Sequence, residues 1–272
     1  MVDCPPIPSP IRKETVVKRI PSLLLPLLLF LVLPATAQEA EPEWYTVYAE
    51  HVPISNRSAF EEGLADLVSI FQDANISDAS WVTIQGSEIG FSYVFAGTGP
   101  GDLDELNETW GGVMAKLGDR GAKAMAKSDE LVDSREMYFL MLRPDLSYKP
   151  DDVVISAEKP FRHYTQLYVH PAKTTEFEAS IPAWIAAYAD AGVESGWRTY
   201  QYMTGTDLPA YLIVGSAKSE AEYHARSAET ESKLGDKIGE LRAKTGPSLR
   251  RASETSGMVR GDLSYPQLSG GK

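Results

Sequence analysis

The chain has 272 residues, of which 43% are hydrophobic and 24% are charged, and its formal net charge is −12. This is the composition of a globular protein, and the negative charge argues against nucleic-acid binding because a phosphate backbone would be repelled. A single cysteine excludes a disulfide scaffold and a zinc ribbon.

The first 37 residues have the order of a secretory signal peptide. Basic side chains come first, an apolar run follows at 20–33, and Ala-Thr-Ala at 35–37 provides small residues for cleavage. The apolar run is short for a membrane span and contains prolines. We therefore expect cleavage after Ala37 and export to the periplasm or the extracellular space, with no stable membrane span afterwards. An uncleaved anchor is the alternative.

The segment that follows predicts a compact α+β unit, repeat 1, at residues 44–148. Aromatic and β-branched residues indicate strands, and apolar residues at helical spacing indicate helices. The predicted elements are a strand at 44–52, a helix from a capping box at 58–61 to Asn75, strands at 81–86 and 90–97, a helix at 103–127 and a strand at 135–143.

A linker at 149–160 separates this unit from a second one, repeat 2, at residues 161–265. Its elements follow the same order as those of repeat 1. They are a strand starting at 161, a helix from a capping box at 175–178 to Gly192, strands at 197–203 and 209–216, a helix at 219–244 and a strand at about 254–260.

The two units match in sequence at an offset of 117 residues, or 116 in one segment, which indicates an internal duplication. The matches occur in the same order along both units, whereas chance identities would be scattered. The matched segments are L-R-P-D-L-S-Y (142–148) with V-R-G-D-L-S-Y (259–265), K-L-G-D (116–119) with K-L-G-D (233–236), and W-x-T-x-Q (81–85) with W-x-T-x-Q (197–201).

The order β-α-β-β-α-β in each unit predicts two ferredoxin-like repeats. The last strand of repeat 1 is apolar on both faces at 137–142, so its second face needs a cover. We expect repeat 2 to supply it, with the two repeats packed sheet to sheet as an intrachain pseudo-dimer.

This strand order, together with the [ST]-x-F-E helix starts at 58–61 and 175–178, resembles the dimeric α+β barrel superfamily. The superfamily includes antibiotic-biosynthesis monooxygenases, heme-degrading monooxygenases, NIPSNAP-like proteins and stress-response barrels. The resemblance implies a fused pair of ferredoxin-like units and is compatible with many functions. The heme-degrading members use a compact Asn, Trp and His arrangement, and the first strand here lacks the Asn.

The paired W-x-T-x-Q motifs are the candidate ligand-binding residues. Strand alternation places the Trp, Thr and Gln of each motif on one face, which we expect to look toward the other repeat. A large ring beside hydrogen-bonding side chains suits a small-molecule cavity. The alternative is a packing interface retained from the duplication. The residues are Trp81, Thr83, Gln85, Trp197, Thr199 and Gln201.

Two histidines complete the candidate set, because His51 and His170 each lie at the end of the first strand of a repeat. No histidine spacing matches a metal site, so we predict neither a metal nor a cofactor. No nucleophile motif is present either, and the catalytic residues stay unassigned.

These features favour an exported small-molecule-binding module with a pocket between the repeats. A cofactor-free or heme-linked monooxygenase-like enzyme is the first alternative, and a structural interaction protein of the envelope is the second. An empty space between the repeats would favour binding or catalysis, whereas a filled interface would favour the structural role. The oligomeric state is left open.

Overall fold

The computed structural model describes residues 42–86, 90–153, 155–156 and 158–268. The predicted signal peptide and the turn at 87–89 lie outside these residues. Among the helices of the described segments, none has the length and hydropathy that a bilayer crossing requires.

The first half of the described chain contains four strands and two helices, close to the predicted positions. They are β1 (Trp44–His51), α1 (Arg57–Asp73), β2 (Val82–Gly86), β3 (Gly90–Ala96), α2 (Leu103–Asp129) and β4 (Ser134–Leu142).

The second half repeats this order, with its last helix divided in two. Its elements are β5 (Phe161–Val169), α3 (Thr174–Asp190), β6 (Arg198–Tyr202), β7 (Ala210–Ala217), α4 (Glu220–Leu234), α5 (Lys237–Thr245) and β8 (Leu249–Val259).

The eight strands form one closed antiparallel barrel in the order β1-β3-β2-β8-β5-β7-β6-β4. Each half contributes four adjacent strands, and the halves join where β2 pairs with β8 and β4 pairs with β6. The expected pair of separate sheets packed face to face is therefore replaced by a single barrel. Edge pairing satisfies the backbone groups that two separate sheets would leave exposed.

Helix ends and kinks follow the glycine and asparagine positions. Asn75 and Gly192 adopt positive φ just after α1 and α3, as predicted. Gly118 interrupts α2 with φ 57°, and the equivalent Gly235 ends α4, so the single helix predicted at 219–244 is two helices.

The predicted capping boxes do not form. Helix α1 begins one residue before Ser58, and α3 begins one residue before Thr175. A short 3₁₀ turn precedes each helix and continues directly into it, so both side chains lie inside the first turn.

The helices cover the outer face of the barrel. Helices α1 and α2 enclose an apolar layer around Phe71 and Val113, and α3 packs Phe177 against Tyr211 of β7. The inner face of the barrel carries a separate apolar cluster that includes Tyr45, Leu140 and Leu212.

Candidate functional site

The barrel interior contains a cavity of about 480 Å³. Small-molecule sites have volumes of about 300–1,000 Å³, so this space suits a small organic ligand. Alternate residues of each strand point inward and form its wall. Among the described residues, six tyrosines line the cavity: Tyr45, Tyr138, Tyr164, Tyr168, Tyr200 and Tyr202.

The two ends of the cavity differ in charge. Strands β1, β2, β5 and β6 run in one direction and end at the mouth, where His51 and the exposed Glu136 line the cavity. At the opposite end, the floor, lie Arg162 near the start of β5 and Val153 from the connection between the halves. The lining at the floor therefore includes a cation, and the lining at the mouth includes a carboxylate.

Two facing walls of the cavity also differ in chemistry. Strands β1 and β5 are four strands apart in the ring of eight and so lie opposite each other. The β5 wall presents hydrogen-bonding side chains at every inward position, whereas the middle of the β1 wall is small and apolar. The inward residues are Tyr45, Val47, Ala49 and His51 on β1, and Arg162, Tyr164, Gln166 and Tyr168 on β5.

Tyr164 carries a buried hydroxyl that has no hydrogen-bond partner among the described residues. Burial raises the pKa of this phenol, so it is protonated at neutral pH and can donate a hydrogen bond. Leaving such a group unpaired costs roughly 1–3 kcal/mol. A polar atom of this kind on a cavity wall indicates a place for an acceptor.

Arg162 is 2% exposed and donates from Nη1 to the carbonyl oxygens of Lys159 and Phe161. Burial lowers its pKa, but a guanidinium remains charged at neutral pH. A second guanidinium, that of Arg198, interacts electrostatically with it. The floor thus has positive character beside the Tyr164 phenol.

The structure places the first W-x-T-x-Q motif on the outer face of the barrel, opposite to the predicted orientation. Trp81 Nε1 donates to the carbonyl oxygen of Leu263 at 3.1 Å, and Thr83 Oγ1 donates to the same oxygen at 2.6 Å. Gln85 Nε2 donates to Glu61 Oε1 at 3.1 Å. None of these three side chains is among the described residues that line the cavity.

The second motif makes the matching contacts on the other side of the barrel. Trp197 Nε1 and Thr199 Oγ1 donate to the carbonyl oxygen of Leu146, at 3.0 and 2.7 Å. Gln201 Oε1 accepts from Arg143 Nη1 at 2.9 Å. This side chain also lies outside the cavity.

The two motifs thus form a pair of reciprocal contacts, here called the clasps. In each clasp, the W-x-T-x-Q strand of one half holds the R-x-D-L-S-Y segment that ends the other half, 260–265 or 143–148. This corresponds to the packing interface that the sequence left as an alternative. The orientation differs from the prediction because the crossing segment and the helices cover the outer face, leaving Val82 and Ile84 on the inner one.

The histidines occupy different environments. His51 lines the mouth of the cavity. His170 is exposed on the surface, where its backbone N–H donates to Ser248. His163 stacks on Tyr223 outside the barrel, and His224 is exposed on α4. Among the described residues, no group of three metal-ligating side chains comes together.

Sequence reasoning missed the residues of the β5 wall. The signal for them was the alternation R-x-Y-x-Q-x-Y at 162–168, in which every second residue is polar. This pattern places Arg162 and Tyr164 on one strand face.

Solved structures with this arrangement of strands and helices are known. The chain is similar to an anthrone oxidase-like protein, with 11% identity and a TM-score of 0.55 over 82% of this chain and 92% of that one. It is also similar to a predicted monooxygenase from Fusobacterium nucleatum subsp. nucleatum, with 10% identity and a TM-score of 0.50 over 80% and 92% of the two chains. The fold is that of a dimeric α+β barrel. No protein-family model and no curated protein sequence matches the chain.

The geometry also tests whether the residues here suit a heme. The resemblance implied a compact arrangement that includes a tryptophan and a histidine. Trp81 and Trp197 lie on the outer face, while His51 lies inside at the mouth. The barrel wall separates these side chains, so the described residues do not form that arrangement.

Proposed function

We propose that this protein binds a small organic molecule inside the barrel, between its two halves. The observation that carries the proposal is a 480 Å³ cavity with hydrogen-bonding side chains on its wall. An eight-stranded barrel is narrow enough for side chains to fill or to hold one small ligand. A purely structural barrel would gain stability by filling the space, because each void loses packing contacts.

The internal duplication is part of the proposal. Two ferredoxin-like repeats that kept their clasps and changed their inner walls would yield one asymmetric pocket from two related units. The equal order of elements in the two halves supports this history. Export to the periplasm or beyond, after cleavage of the signal peptide, is proposed from the pattern of the first 37 residues.

A monooxygenase-like enzyme acting in the same cavity is the alternative. One protein of similar fold is described as anthrone oxidase-like, and another as a predicted monooxygenase. Dioxygen consumption with any molecule that binds in the barrel, abolished by blocking the cavity, would favour catalysis over simple binding.

The test uses four compounds, octanoate, octanol, 2-naphthoate and 2-naphthylmethanol, with binding measured by calorimetry and NMR. Ala49 lines the cavity, so Ala49→Trp should fill it and abolish binding. Ala252 is exposed on β8 and pairs with the outward-facing Leu167, so Ala252→Trp is the matched control and should bind normally. Failure of all four compounds, or equal binding by the two variants, would contradict the proposal and favour a structural interaction protein.

A further inference from the structure

The chemistry of the ligand can be read from positions where the two halves differ. Strands β1 and β5 begin 117 residues apart. Their neighbours in the barrel are also equivalent, since β1 pairs with β3 and β4, and β5 pairs with β7 and β8. Tyr45 and Val47 in the first half thus correspond to Arg162 and Tyr164 in the second. The clasps have the same residues in both halves, whereas at these inward positions the second half has a guanidinium in place of a phenol and a phenol in place of an apolar side chain.

The two groups found only in the second half, the Arg162 guanidinium and the Tyr164 hydroxyl, are hydrogen-bond donors at the floor. The guanidinium of Arg162 only donates, and the protonated Tyr164 hydroxyl is buried without a partner among the described residues. A ligand that satisfies this hydroxyl must bring an acceptor atom to the β5 wall.

The charges favour an anionic acceptor. Arg162 lines the floor, and Arg198 lies close enough to influence it electrostatically. The acidic side chains near the cavity are exposed. Glu136 is exposed at the mouth, and Glu43, at the floor end, accepts from Tyr45 and interacts with Arg198 but is not among the described residues that line the cavity. A negative group would gain most at the floor, where low dielectric strengthens its attraction to the guanidinium.

The remainder of the cavity favours an apolar body. Facing the β5 wall are Val47 and Val94, with Leu140 beside them, and Leu212 and Val214 of β7 extend the apolar surface. The cavity is also too small for a macromolecular segment with its own fold. Its occupant therefore has one anionic end and one hydrophobic end.

Resting on the proposed function, we infer that the ligand is an organic carboxylate whose carboxylate accepts hydrogen bonds from Tyr164 and Arg162 and whose hydrocarbon part lies along the apolar wall. A hydrogen bond between a guanidinium and a carboxylate is charge-assisted and is stronger than a hydrogen bond to a neutral alcohol.

The test compares each carboxylate with its alcohol, octanoate with octanol and 2-naphthoate with 2-naphthylmethanol. We expect the carboxylate to bind at least tenfold more tightly. Tyr164→Phe removes one oxygen atom and should weaken carboxylate binding about tenfold and alcohol binding less, because a hydrogen bond to a charged acceptor is stronger than one to a neutral acceptor. Tyr48→Phe is the matched control, because Tyr48 lies on the outer face of β1 against Phe95.

Arg162→Met should abolish the preference for the carboxylate. Because Arg162 is buried, its variant is first checked for folding by circular dichroism. Tyr164→Phe should fold without loss of stability, since it removes an unpaired hydroxyl, and it keeps the inference testable on its own. Alcohols that bind as tightly as carboxylates, or equal carboxylate affinity in Tyr164→Phe and Tyr48→Phe, would overturn the carboxylate assignment and leave binding in the barrel standing. Failure of every compound would overturn both.

Discussion

At the scale of single residues, each clasp is organised around one arginine. Arg143 pairs with Asp145 and with Glu178 Oε1 at 2.6 Å. The equivalent Arg260 pairs with Asp262 and with Glu61 Oε2 at 2.8 Å. Each arginine also donates to the glutamine of its W-x-T-x-Q motif, so one side chain connects a strand, a helix and a terminal segment.

The Arg143 guanidinium holds the pKa of Glu178 below its ordinary value of about 4.5. A lowered folded-state pKa means that this carboxylate stabilises the fold fully above pH 4.5 and loses its contribution as the pH falls through the folded-state pKa. We expect Glu178→Gln to lower the free energy of unfolding by about 1 kcal/mol at pH 7, with a difference that shrinks below pH 4.5. Urea unfolding at several pH values measures this.

The control for that experiment is Glu176→Gln, on the exposed side of the same helix. This substitution should change the free energy of unfolding little at any of the pH values. A Glu178→Gln deficit that stays constant down to pH 3 would show that the ion pair with Arg143 is not its source.

At the scale of elements, the clasps join strand β2 to the end of the second half and β6 to the end of the first. Thr83 and Thr199 are almost fully buried, and each donates to a backbone carbonyl. The hydrogen-bond geometry is nearly the same in the two clasps, so Thr83 and Thr199 should contribute equally to the free energy of unfolding.

We expect Thr83→Val and Thr199→Val each to destabilise the fold by about 0.5–1.5 kcal/mol, because each removes one hydrogen bond to a buried carbonyl oxygen that keeps its tryptophan donor. The losses should add in the double variant, since the clasps share no residues. Thr165→Val, on the outer face of β5, is the control. Chemical denaturation measures all four variants, and a loss in only one clasp would contradict their equivalence.

The positions of the elements were largely predictable, whereas the orientation of β2 and β6 was not. Aromatic and β-branched runs located the strands to within a few residues at most ends, and Asn75 and Gly192 marked two helix ends correctly. Alternation assigns Trp81 and Thr83 to one face but does not say which face a crossing segment will cover. Barrel closure was equally hidden, since it depends on edge pairing between residues that are distant in the sequence, such as Leu140 with Tyr202 and Ile84 with Val259.

The candidate site was predicted only in part. We assigned the functional role to the residues that repeat between the halves. In the structure, Trp197 and Thr199 instead make hydrogen bonds that join the two halves. Of the eight candidate side chains, His51 alone is found among the described cavity residues. Arg162 and Tyr164 were missed because they differ from their counterparts in the first half.

At the scale of the whole molecule, a symmetric scaffold encloses an asymmetric interior. The two clasps use the same residue types at equivalent positions, so the contacts on the outer face are the same in both halves. The inner walls differ between the halves, because Arg162 faces the cavity at the position that Tyr45 occupies in the first half. With this arrangement, the inward side chains could change to suit one ligand without altering the clasps that hold the fold.

The most direct measurement is a crystal structure of the protein grown with 2-naphthoate. We expect density for the aromatic rings inside the barrel, with the carboxylate oxygens within hydrogen-bond distance of Tyr164 Oη and the Arg162 guanidinium. A barrel interior that holds only water under these conditions, or a naphthoate bound elsewhere on the chain, would contradict this expectation.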